Sequence, residues 1–156
     1  MTNRKLGFVS FEPINDKFRG YLSMGVVLGS DKEPEILLQK SIKIYENALK
    51  KMASIISEMK NSRANRTPVS ARKIWQLGNV IFKLRDELEK IGLEIDGIYD
   101  HLPRDLEVKR KWLEKVIILR RYLPDIKLIP ESLSWGRCEK STRRKAERLR
   151  SGLPIS

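Results

Sequence analysis

Residues 95–124 read IDGIYDHLPRDLEVKRKWLEKVIILRRYLP. Apolar residues fall at helical spacing twice in this stretch. Ile98, Leu102 and Leu106 form one inner face, and Val108, Trp112, Val116, Leu119 and Leu123, in steps of 4, 4, 3 and 4, form another. Two short amphipathic helices so close together predict a helix-turn-helix over about residues 96–123. Lys109, Arg110 and Lys111 are then left outside at the start of the second helix, where a recognition helix presents side chains to base edges. Arg104, Lys115, Arg120 and Arg121 are the candidates for phosphate contacts in the same element. The plainer reading of each is a solvated charge, and Arg110 with Glu114 has the spacing of an ordinary i,i+4 pair.

Upstream, Leu38, Ile42, Tyr45, Leu49, Met52, Ile56 and Met59 alternate in steps of 4 and 3, the pattern of a coiled-coil-like seam. A second seam, Ile74, Leu77, Ile81, Leu84, Leu88 and Ile91, follows a polar break at residues 61–68 and stops at Gly92. Two matched seams and a short loop predict an antiparallel helical hairpin. The competing arrangement uses the first seam between two chains, in a homodimer.

Residues 6–11 and 21–28 are rich in aromatic and β-branched side chains and flank a turn-prone stretch at 12–16, which predicts a short β-hairpin. Residues 30–34 carry the signals of a helix start, with Pro34 in the first turn. The fold class expected is therefore mainly α, a helical hairpin plus helix-turn-helix with a short N-terminal β-hairpin. Its parts are a hairpin extension at 1–33, a helical domain at 34–130, and a basic C-terminal helix or arm at 131–156. That last part adds Arg137, Arg143, Arg144, Lys145 and Arg148 as candidate phosphate contacts, with Arg150 in the same cluster; the segment also holds Lys140 and has few apolar partners.

The 156 residues carry a net charge of +12, unevenly placed. Residues 101–156 hold 15 Lys and Arg against 7 Asp and Glu, a net of +8, and residues 1–100 hold 17 against 13. A field of this sign favours polyanionic partners. Membrane is the weaker choice, because the most apolar run, residues 116–119, stops after four residues and the start lacks a signal-peptide pattern. The expectation is a soluble, cytoplasmic protein.

Material for catalysis is sparse. Cys138 and His101 are each the only residue of their kind, so one chain builds neither a disulfide, nor a thiolate cluster, nor a two-histidine metal site. His101 suits a local hydrogen bond at a helix end, and Cys138 a structural position. Walker and Rossmann glycine patterns are missing. Pro124-Asp125 followed by Glu139-Lys140 looks superficially like a PD-(D/E)XK nuclease signature, but Glu139 and Lys140 are adjacent and the segment lacks strand character. Asp125-Ile126-Lys127 has the acid-x-lysine spacing, common by chance in a chain that is 33% charged. No catalytic residue, cofactor or metal is expected.

Three pieces in order resemble a known arrangement. Residues 74–81, with Trp75, Leu77 and Gly78, are similar to a tryptophan-x-aliphatic-glycine helix. Residues 98–106, with Leu102, Asp105 and Leu106, are similar to the short helix after it. Residues 110–124 are similar to a basic helix that ends in an aromatic and a proline, and Leu133-Ser134-Trp135 to the motif that closes the series. This order resembles the helical N-terminal domain of the YhcG-type restriction-associated nucleases over about residues 70–140. In that family the helical domain precedes a PD-(D/E)XK nuclease domain, which has no counterpart here. The resemblance therefore implies DNA binding and assembly without cleavage.

Together these readings predict a non-catalytic protein that binds double-stranded DNA, in a regulatory or restriction-associated setting. The alternative is a helical dimerising adaptor for a protein partner in a nucleoprotein complex. RNA is a third candidate, weakened because no RRM, KH or dsRBD signature is present. Trp75 and Trp112 occupy apolar helical positions and suit the core, whereas Trp135 is open to either packing or stacking.

Overall fold

The computed structural model describes residues 7–15, 17–23 and 34–155. Strands β1 (Gly7–Ile14) and β2 (Lys17–Ser23) come first, followed by helices α1 (Pro34–Ala64) and α2 (Ala71–Lys90). Strand β3 (Leu93–Ile95), helices α3 (Ile98–Leu106) and α4 (Arg110–Tyr122), a 3-10 turn (Ile126–Leu128), α5 (Trp135–Cys138) and α6 (Thr142–Arg150) complete the chain. The fold is mainly α, with a small sheet at the N-terminal end.

The hairpin differs in extent from the sequence reading. β1 continues through Pro13 to Ile14, and the chain turns at Asn15, whose φ of 55° lies in the left-handed region that asparagine tolerates. Residues 24–28 of the expected second strand, and 30–33 of the expected helix start, lie outside the described residues; Pro34 is the first residue of α1. β3 was not foreseen. It pairs in parallel with β1 over Gly7–Val9, giving the order β2-β1-β3. Three residues carry too little periodicity to announce a strand, and the partner lies far upstream.

Both long seams are interior. Ile42, Tyr45, Leu49, Met52, Ile56 and Met59 are buried on α1, with Leu38 half-buried, and they share one core with Ile74, Leu77, Ile81, Leu84 and Leu88 of α2. α1 and α2 pack together, so the first seam is filled from within the chain. With 31 residues against 20, α1 outruns α2 by about 16 Å at 1.5 Å per residue. Its N-terminal part covers the sheet instead. There Gly20 of β2 lies close under α1, where a Cβ would fall 2.6 Å from Leu38 Cδ1, the movable end of that side chain.

The C-terminal segment is laid on this body. Trp135 N–H donates to Val69 C=O at 2.8 Å and Ala71 N–H to Leu133 C=O at 2.9 Å, which ties α5 to the start of α2. α6 buries Thr142, Ala146 and Leu149, in steps of 4 and 3, and packs against α4. These few small or apolar positions suffice to hold the expected basic segment on the body as a packed helix.

Candidate nucleic-acid interface

α3 and α4 are joined by three residues, 107–109. Glu107 takes a left-handed conformation (φ 55°), Val108 N–H donates to Pro103 C=O at 3.1 Å, and Lys109 precedes the first turn of α4. The buried face of α4 is Leu113, Val116, Ile117 and Leu119, continued by Leu123. Val108 lies ahead of the helix and Trp112 is only half-buried, so the inner face is rotated from the one the spacing predicts. The reason is tertiary, because α4 packs on α2, α3 and α6 at once.

At the crossing with α2, Gly78 faces Arg120, and a Cβ there would sit 2.7 Å from Arg120 Cβ and 3.0 Å from Val116 O. Trp75 Nε1 donates to Leu123 C=O at 2.6 Å. The Arg120 guanidinium lies 4.9 Å from the Trp75 ring and 4.6 Å from that of Phe82, and its Nε donates to Asn79 Oδ1 at 3.0 Å. Burial lowers the Arg120 pKa from its ordinary value. Arg120, named among the phosphate contacts, is thus a packing residue of the α2–α4 crossing.

Arg104 is also engaged internally. Its Nε donates to Asp105 Oδ1 at 2.8 Å, and one terminal nitrogen donates to Asp105 Oδ2 at 3.0 Å and Phe11 C=O at 2.7 Å. Tyr45 donates its hydroxyl to the same carboxylate, which is 3% exposed. Burial first, then Asp105, pushes the Tyr45 phenol above its ordinary range.

The remaining candidates face outward. Lys109, Arg110 and Lys111 are exposed at the start of α4; Arg110 reaches Asp100 at 3.3 Å and Glu114 at 3.4 Å and lies 5.7 Å from the Tyr99 ring. Arg121 is exposed further along. Lys115 and Ile118 of α4 share an open groove of about 550 Å³ with Lys140, Arg143 and Arg144 on the approach to and first turn of α6. Arg143 stacks on Tyr122 of α4 at 5.3 Å and pairs with Glu147 at 3.3 Å, while Lys140 and Arg144 have no ion-pair partner among the described residues. Glu139 and Glu147 line the same groove, so its four cations outnumber two carboxylates.

Arg137, Lys145 and Arg148 do not join that groove. Lys145 donates its ammonium to Arg137 C=O, and Arg148 Nε donates to Pro154 C=O at 2.8 Å. Arg137 lines a separate hollow with Leu128, Leu133 and Leu149. Lys140, outside the set of phosphate contacts expected from the sequence, lines the groove.

Of the chemically reactive groups, Cys138 is buried, and burial pushes its thiol pKa up. Asp125 caps the 3-10 turn by accepting from Lys127 N–H at 2.9 Å. Trp135 is buried to 2% exposure and packs in the core, which closes the question left open at that position. Among the described residues, no cluster of three or more His, Cys, Asp or Glu side chains suits a metal ion, and no helix is long and apolar enough to cross a membrane. Comparison with protein-family models, with curated proteins and with solved structures finds no match.

Proposed function

We propose that the protein binds duplex DNA through the surface formed by α4 and α6, without catalysis, with α3 and α4 acting as a helix-turn-helix. The observation that carries this reading is the common groove in which Lys115 of α4 meets Lys140, Arg143 and Arg144. Cations from separate parts of the chain converge there, which a randomly solvated basic helix does not require. Exposed Lys109, Arg110 and Lys111 extend the same charge along α4. The sequence resemblance described above supports binding in place of cleavage. The adaptor alternative loses its main argument, because the seam it would use is buried within the chain.

The test is fluorescence anisotropy with labelled duplex DNA, single-stranded DNA and duplex RNA over a range of salt. Duplex DNA should bind best, with log K falling linearly with log salt at about 0.9 per phosphate engaged. Lys140→Glu with Arg144→Glu should abolish binding while leaving the circular dichroism spectrum intact. Equal binding of all three polymers that survives the double substitution removes the proposal.

A further inference from the structure

Granting that this surface binds duplex DNA, we infer that it engages the phosphate backbone and carries little base readout, so that α4 is held against the groove edges and does not enter the major groove as a recognition helix does. The first ground is shape. α4 does not stand clear of the body, since α2 closes one flank at Gly78 and α6 packs along another. Two packed helices lie about 8–10 Å apart, each about 10–12 Å across, so their joint face is roughly 20 Å wide. The major groove is about 12 Å wide and admits one helix. A face of two helices rests across the groove edges, against phosphates.

The second ground is side-chain chemistry. Neither α4 (RKWLEKVIILRRY) nor α6 (TRRKAERLR) contains Asn or Gln, the residues that read adenine through paired hydrogen bonds. Arginine reads guanine, but Arg110, the best placed, is flanked by Asp100 and Glu114. The lysines are flexible point charges suited to phosphate. Lys109, Arg110 and Lys111 then act as backbone contacts, with Lys115, Lys140 and Arg144.

Selection from a random duplex library, followed by anisotropy on unrelated duplexes of about 20 bp, tests this. Expected are no enriched motif, affinities within about threefold of one another, and a slope against log salt reduced by about 0.9 for each of Lys140→Ala and Arg144→Ala. Arg110→Ala should weaken all duplexes alike. A selected motif bound a hundredfold more tightly than its scrambled form, or an Arg110→Ala loss confined to one sequence, overturns the inference but leaves DNA binding standing. Absence of binding to every duplex at low salt overturns the DNA-binding reading, and this inference with it.

Discussion

The backbone N–H of Phe11 donates to Nε2 of His101 at 2.8 Å, across 90 positions of the chain. The other ring nitrogen, Nδ1, donates to Gly97 C=O at 2.9 Å, which fixes a neutral ring with its proton on Nδ1. Phe11 C=O accepts from Arg104 at 2.7 Å. β3 reaches only as far as Val9 along β1, so at Phe11 two α3 side chains take the place of the missing strand. Pro13, two residues on, has no N–H to satisfy on that side. The sheet, α1 and α3 are locked together here, with Tyr45 stacked on Phe11 at 4.3 Å.

His101→Ala removes the acceptor for a buried N–H and leaves a void. The expected loss is about 2–4 kcal/mol, seen as a fall in Tm of about 2–4 °C per kcal/mol for a chain of this size. Thermal unfolding by circular dichroism measures it. A Tm unchanged within 1 °C (about 0.3 kcal/mol) would show that the Phe11 N–H finds another partner.

Gly78→Ala separates two opposing effects. In an open helix the change stabilises by about 1 kcal/mol. At the α2–α4 crossing the new Cβ meets Arg120 Cβ and the Val116 carbonyl, neither the far end of a flexible chain, and overpacking costs about 1–3 kcal/mol. Net destabilisation is predicted from urea titration; a gain in stability would mean that the helices part without cost.

Tyr45 gives the protein an alkaline limit. Its phenol pKa is higher folded than unfolded, so the associated stability is complete below the unfolded value of about 10 and declines as pH rises above it. Wild type should therefore lose stability more steeply above pH ~10 than Tyr45→Phe does. The phenolate absorbance that distinguishes the two should appear only on unfolding. Parallel stability curves would contradict this.

Leu49→Asp places a charge in the α1–α2 core, where Leu49 is 9% exposed. A loss of at least about 3 kcal/mol is expected, enough to unfold much of the population. Were the seam instead an interface between chains, light scattering would find folded monomers with full helical ellipticity.

Arg120→Ala and Lys111→Ala should divide stability from binding. Arg120→Ala strips the α2–α4 crossing of a cation stacked on two rings, lowering Tm while leaving the DNA salt slope of the folded protein unchanged. Lys111→Ala, on an exposed position, should leave Tm alone and reduce that slope by about 0.9. The opposite pattern would exchange the roles assigned to them.

Much of the fold was legible where apolar spacing is long and regular. The seams of α1 and α2 recur over many turns, and α3 and α4 stand within a residue or two of where their periodicity puts them. Less legible were features set by distant partners. Arg120 stands between Leu119 and Arg121 and Lys140 between Glu139 and Ser141, and nothing in either setting says that Lys140 enters a groove while Arg120 stacks on Trp75. Trp75-Gln76-Leu77-Gly78 shows the intermediate case: the pattern is visible, but its purpose, a hydrogen bond to Leu123 and a close helix crossing, needs α4 in place.

Sequence by itself determined the helical class, the long seams, the short turn between α3 and α4, and the concentration of positive charge near the C-terminus, because periodicity and charge are properties of neighbours along the chain. Tertiary structure alone decided that Leu93–Ile95 pairs with β1, that α6 lies against α4 with Lys140 and Arg144 beside Lys115, and that Arg104 and Arg120 are engaged by Phe11 and Asn79. Those outcomes depend on which buried donors and carbonyls remain unpaired after the helices pack, a condition that no local stretch of residues contains.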